Sequence, residues 1–173
     1  SFTDDVRAGY SFCPVMDRNH RSQSNFISGQ HLVLDFDNGD ETCSLDTLQA
    51  HPFIRAHGAL LYSTPSSTPE APRSRVVFIL AQPVTDTELY NRMAKGLVRQ
   101  FPTSDQTVGE ASRFLYGMKP GDDYRVLGNT LSNELALSLI VPDPVPEPRR
   151  PQTATDPSQG PSVRRSPPEM GPG

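Results

Sequence analysis

The run HLVLDFD at residues 31–37 is nearly continuous in apolar character until it meets two acids, a pattern that predicts a central strand covered on both faces. Farther along, GALLYST and SRVVFILA are β-rich runs joined by the polar, Pro-bearing segment 65–73, which reads as a long hairpin or as neighbouring strands. The clearest helix is VTDTELYNRMAKGLVRQF. Leu89, Met93, Leu97 and Phe101 recur there at helical spacing, Thr85 and Glu88 have the spacing of a capping box, and Val84 is placed to staple against Leu89. SLDTLQAHPFI predicts a short helix capped by Ser44 and ending near Pro52. The first thirty residues are short of periodicity and read as a helix start followed by loop. RFLYG and YRVLG read as short strands or strand and turn, and SNELALSLIV as a last helix or strand. This order predicts an α+β fold, with helices packed on one side of a mainly antiparallel sheet.

Composition divides the chain. Hydrophobic residues make up only 35% of the 173, and more than half of the 18 prolines fall from Pro142 onward, where hardly an aliphatic residue is found. Residues 1–141 are therefore expected to form the folding unit and 142–173 a disordered or extended tail or linker. No apolar run is long enough to span a bilayer and no signal-peptide order opens the chain, so a soluble, cytoplasmic protein is expected, with no membrane partner. Two cysteines, Cys13 and Cys43, are too few for a disulfide framework and are expected to be reduced. A net charge of −4 argues against general electrostatic coating of nucleic acid and leaves room for a local basic groove. The chain opens without methionine and ends in linker-like sequence, as a domain excised from something larger would.

Within that frame, three stretches carry candidate chemistry. Asp35 and Asp37 lie two apart, on one face of a strand, and two adjacent carboxylates repel unless a cation lies between them. A hard divalent ion resolves that conflict; a solvated strand end leading into an Asn-Gly turn is the alternative. Arg73 and Arg75 open the next strand with the same spacing. They suit a phosphate chain, or serve as edge charges against aggregation. In FPTSDQTVGEASRFLYG, Asp105 reads as a helix cap or a metal ligand, and Arg113 opens a short apolar run. Arg92, Lys95 and Arg99 form a basic face on the long helix, either a solvated surface or a path for a nucleic-acid backbone.

The ordered set LVLDFDNGDE, LYSTPSSTPEAPRSRVVFIL and FPTSDQTVGEASRFLYG, preceded by AGYSFCPVMDRNHRSQSNF, resembles the catalytic core of the archaeo-eukaryotic primase superfamily in its phage and plasmid primase-polymerase branch, over about residues 5–130. The resemblance implies a palm-like sheet related to RNA-recognition folds and template-directed nucleotidyl transfer with two divalent metals, Mg2+ or Mn2+. It implies that Asp35, Asp37 and Asp105 are the metal-binding acids, that Arg73, Arg75 and Arg113, with Ser66 and Ser67, bind the nucleotide, and that Arg92, Lys95 and Arg99 meet the nucleic acid. Single-stranded DNA template and nucleoside triphosphates are the implied partners, with a helicase region on a longer chain of a phage, plasmid or other mobile element.

One departure stands out. Where the family's second motif usually carries a histidine, this chain has Ser67, which can donate a hydrogen bond to a phosphate but carries no charge. His51 and His57 are not obviously placed to substitute. A catalytically impaired nucleic-acid- or nucleotide-binding module on the same fold is therefore the alternative function, and a metal-dependent nuclease a third.

Overall fold

The computed structural model describes residues 1–107, 109–140 and 142, so the Pro-rich segment beyond Pro142 lies outside the described residues. Two strands of eleven residues, β2 (Phe26–Phe36) and β4 (Ser74–Val84), pair antiparallel and form the spine of the sheet. The short β1 (Val15–Met16) adds outside β2. On the other side of β4, β3 (Leu60–Ser63) covers the first half of its free edge and β6 (Thr130–Leu131) the second, β6 running parallel to it. β5 (Tyr124–Val126) completes the order β1-β2-β4-β3-β5. Among the described residues every strand pairing apart from the β4–β6 contact is antiparallel.

Side-chain alternation sorts the sheet into two apolar layers. Leu32, Leu34 and Phe36 of β2, Leu61 of β3, and Val76, Phe78 and Leu80 of β4 face one way. They are covered by α2 (Leu45–Ala50), α3 (Pro52–His57), α4 (Thr87–Arg99) and α5 (Asn133–Ser138). Val33, Leu60, Tyr62 and Val77 face the other way, against Val6 of α1 (Phe2–Arg7) and against Leu115 and Met118 of an irregular segment. The expected α+β architecture with helices against a mainly antiparallel sheet is thus present, and β2 is covered on both faces as its near-continuous apolar run requires.

Local details depart from expectation at three points. The N-cap of α4 is Asp86, not Thr85, and its carboxylate accepts the Leu89 amide at 2.8 Å. A charged cap complements the positive helix end better than a hydroxyl, and the start moves one residue accordingly. Pro52 does not simply end a helix. It sits at the first turn of α3, where its missing N–H costs nothing, while His51 before it is extended at φ −64° and ψ 124°. RFLYG forms no strand; Leu115 makes an isolated antiparallel bridge with Phe12.

Both cysteines are free, Cys43 fully buried. No helix among the described residues is long and apolar enough to cross a membrane.

His31 lies on the second layer with its ring 6.3 Å from Phe2, stacked, and 5.2 Å from Phe12, edge-on. Burial lowers its pKa from 6.5 to about 4, so the folded chain keeps it neutral. Unfolded chains take up that proton below pH 6.5, and stability is therefore lost as pH falls, levelling off below about pH 4. The loss amounts to about 3 kcal/mol at most. Urea unfolding at a series of pH values should show a shallower acid decline for His31→Phe than for the wild type; identical slopes would contradict the assignment.

Candidate active site

The pairing register sets a row of side chains directly across four strands. Asp35 of β2 lies opposite Arg75 of β4, Arg75 opposite Tyr62 of β3, and Tyr62 opposite Tyr124 of β5. All belong to the sheet face that α2–α5 do not cover. The Arg75 guanidinium grips Asp35 with both prongs, Nε to Oδ1 at 2.6 Å and Nη2 to Oδ2 at 3.0 Å. Its Nη1 donates to the Tyr62 hydroxyl at 3.2 Å and the Tyr116 carbonyl at 3.0 Å, and the Tyr62 hydroxyl donates to that same carbonyl at 2.9 Å. Asp35 and Arg75 are 2% and 8% exposed, so each is the other's replacement for water. Burial works against the charge on Arg75, and the bonded Asp35 carboxylate outweighs it, holding the guanidinium protonated. Burial also raises the Tyr62 phenol, which stays neutral as a donor.

The loop after α4 returns to this row. The Asp105 amide donates to the Asp35 carbonyl at 2.7 Å, and the Asn38 side-chain amide donates to the Thr103 carbonyl at 3.0 Å, so residues 103–105 dock along the end of β2. Asp105 is held by the Thr107 amide and hydroxyl at 2.9 and 2.8 Å. Arg113 then bridges the two acids, its Nη2 lying 3.4 Å from Asp35 Oδ2 and 3.7 Å from Asp105 Oδ2.

Asp37 stands apart in its chemistry. β2 ends at Phe36, and Asp37 is exposed, with no ion-pair partner among the described residues. Partial burial raises its pKa first, the charges of Asp35 and Asp105 raise it further, and Arg73 and Arg75 pull it back only in part. A cation held beside Asp37 would offset its repulsion from Asp35 and Asp105.

A cleft of about 350 Å³ collects these groups, lined by Asp35, Asp37, Thr64, Pro65, Ser66, Arg75, Arg113 and Tyr116. Five sequence-selected residues thus meet in one cavity, and Asp105 reaches it through Arg113. Ser67 does not line it. Its hydroxyl accepts the Arg73 amide at 2.9 Å, and it faces a separate groove of about 430 Å³ together with Asp46, Asp122 and Arg125. Half-buried Arg73 has an Nε without a hydrogen-bond partner among the described residues. His51 and His57 are used elsewhere, their rings 4.8 Å from Phe101 and 4.9 Å from Phe53. Arg92, Lys95 and Arg99 are exposed on α4, whose buried side covers the opposite sheet face; the structure does not bring them to the cleft.

Tyr62 and Tyr116 are the residues that sequence reasoning missed. The only signal for Tyr62 was its position two residues before Thr64, just inside the end of β3, and for Tyr116 its place in RFLYG, three after Arg113.

Hard oxygen donors of this kind suit a magnesium-type ion, which takes one or two carboxylates and completes its shell with water and substrate phosphate. Asp37 and Asp105 fit that description. Asp35 has both oxygens engaged by Arg75, and among the described residues no three His, Cys, Asp or Glu side chains are grouped to hold a metal. The donors therefore fit one ion anchored on Asp37 rather than a ready-made pair of metals on three carboxylates.

The chain folds as an α+β domain with helices packed against a mainly antiparallel sheet, and that fold has a counterpart among solved structures. Among solved structures the chain is similar to the AEP domain of cyanophage S-2L primase-polymerase (PrimPol), with a TM-score of 0.50 and 15% identity. The match covers 70% of this chain and 65% of that one, just under two thirds of its length. No protein-family model and no curated protein matches the sequence.

Proposed function

We propose that the domain is a primase-polymerase, adding nucleotides to a strand under the direction of a single-stranded DNA template in a divalent-metal-dependent reaction. The observation that carries this reading is Asp37, an exposed acid without an ion-pair partner among the described residues, in a cleft it shares with Asp35, Arg75 and Arg113, on a fold similar to that of a phage PrimPol domain. Mg2+ or Mn2+ held by Asp37 and Asp105 would activate the attacking hydroxyl and offset charge on the leaving pyrophosphate.

The arginines divide the remaining work. Arg75 commits four of its five N–H donors inside the protein, two to Asp35 and one each to Tyr62 and Tyr116. It fixes the cleft wall and the position of Asp35. Arg113 is 35% exposed and holds its acids only at long range, so it is the guanidinium free to turn onto a triphosphate. Ser66, at the cleft edge, supplies a hydroxyl for the same phosphates.

A second reading, a module that binds nucleotide or single strands without catalysis, is favoured by one observation: no histidine lines the cleft, and Ser67, at the expected histidine position, is turned onto Arg73. Calorimetry with a non-hydrolysable triphosphate separates the two. The polymerase reading expects binding that requires Mg2+ or Mn2+ and weakens by about a hundredfold or more in Asp37→Asn, since even outer-shell partners of a metal are worth about 10–100-fold. Metal-independent binding unaffected by that substitution would support the module.

A further inference from the structure

Three large aromatic side chains are exposed among the described residues, Tyr10, Phe114 and Tyr116. Phe114 and Tyr116 meet edge to face with centroids 5.3 Å apart, and the Arg21 guanidinium lies 4.5 Å over the Phe114 ring. The Tyr10 carbonyl packs against Gly117, where a Cβ would fall 2.5 Å from it. Such rings are not left in water by accident of a poor fold, because the backbone beneath them is firmly held. Leu115, between the two rings, exchanges two 2.9 Å backbone bonds with Phe12 and is buried at 3% exposure. The Tyr116 carbonyl takes the hydrogen bonds from Arg75 and Tyr62, while its ring is 65% exposed.

Tyr116 also lines the cleft that holds Asp35 and Asp37, so the aromatic surface runs directly into it. Exposed rings interleaved with arginine are the chemistry that receives nucleobases: any base offers a face to stack on, and guanidinium supplies cation–π contact and charge for the backbone. The basic face of α4, by contrast, lies across the sheet from the cleft.

We propose that Phe114 and Tyr116, backed by Arg21, form a stacking platform for the bases of single-stranded nucleic acid and lead that strand to the cleft. The direction of the strand toward the cleft rests on the polymerase reading; the binding of a strand does not.

The protein contains no tryptophan, so Tyr116→Trp places a single indole at the platform. Titration with oligodeoxythymidine is expected to quench its emission, and an abasic strand of equal length to leave it unchanged. In anisotropy measurements with the full chain, Phe114→Leu/Tyr116→Leu should bind the oligonucleotide about tenfold or more weakly, and the abasic strand as the wild type does. Tyr116→Phe, which keeps the ring, should bind normally. The proposal is overturned if the double variant binds the oligonucleotide as well as the wild type, if the wild type binds neither strand, or if it binds both equally. It is also overturned if the double variant loses only self-association on gel filtration, which would make the patch a contact between copies. Weakened strand binding in a protein that never extends a primer would leave the platform standing and remove the polymerase reading. Primer extension with strand affinity intact in the double variant would do the reverse.

Discussion

Arg75→Met is expected to lower folding stability by about 3–5 kcal/mol, the usual consequence of removing one partner from a buried ion pair. The substitution roughly preserves side-chain volume, so the cost comes from charge. It strands the Asp35 carboxylate, 2% exposed, without the two short bonds that replace its hydration, and leaves the Tyr116 carbonyl with the Tyr62 hydroxyl alone. Asp35→Asn should cost less, because Arg75 keeps its bonds to Tyr62 and Tyr116 and the amide oxygen still accepts one from it. The double variant Asp35→Asn/Arg75→Met should recover part of the loss of the single Arg75 change. Chemical denaturation of the three variants checks this order. Equal costs for the two single changes, or strict additivity in the double, would contradict the picture of one mutually dependent pair.

Asp37→Asn should separate activity from stability. Synthesis is expected to fall by on the order of a hundred- to a thousandfold or more, the scale on which loss of one electrostatic partner of a transition state is felt. The fold should gain. The pKa of Asp37 is raised in the folded state by partial burial and by the neighbouring carboxylates Asp35 and Asp105. The folded chain thus binds that proton more tightly than the unfolded one, and stability is lost as pH rises above the ordinary carboxylate range. Removing the charge relieves that repulsion at neutral pH, so the melting temperature of the variant should equal or exceed that of the wild type. Residues that trade stability for chemistry behave this way, whereas a merely structural acid would show a loss in both measurements.

The contrast between the two aspartates shows how far the sequence could be read. Strand periodicity was enough to find HLVLDFD, its burial on both sides and the proximity of Asp35 to Asp37. It was also enough to set the helical stripe of Met93, Leu97 and Phe101 against the sheet. The roles diverged because of a partner forty residues away. Register alone brings Arg75 opposite Asp35, and register is a property of the β2–β4 pairing that neither run contains by itself. Strand β2 also stops at Phe36, so alternation no longer governs Asp37, which is exposed at the cleft and lacks an ion-pair partner among the described residues.

Backbone atoms hid more. Tyr116 enters the network through its carbonyl, which no side-chain pattern announces, and Asp105 arrives because its amide reaches the Asp35 carbonyl. Two-residue strands such as β1 and β6 are too short for any periodicity to register. The cap of α4 turned on a choice between two adjacent good capping residues, Thr85 and Asp86, which sequence separates poorly. Ser67 lies on the loop before β4, and the hydrogen bond its hydroxyl accepts from the Arg73 amide, which turns it to that loop rather than to the cleft, emerges only from the folded turn.

The most direct test is extension of a labelled primer on a single-stranded DNA template, with deoxynucleoside triphosphates and Mg2+ or Mn2+, comparing wild type with Asp37→Asn. Asp37 is the informative position because its loss should leave the Asp35–Arg75 pair and the fold intact. Metal-dependent product from the wild type that vanishes in a fully folded Asp37→Asn is the predicted result. Product undiminished in the variant, or no product with either metal from a folded wild type that still binds single strands, would contradict the assignment of this cleft to nucleotidyl transfer.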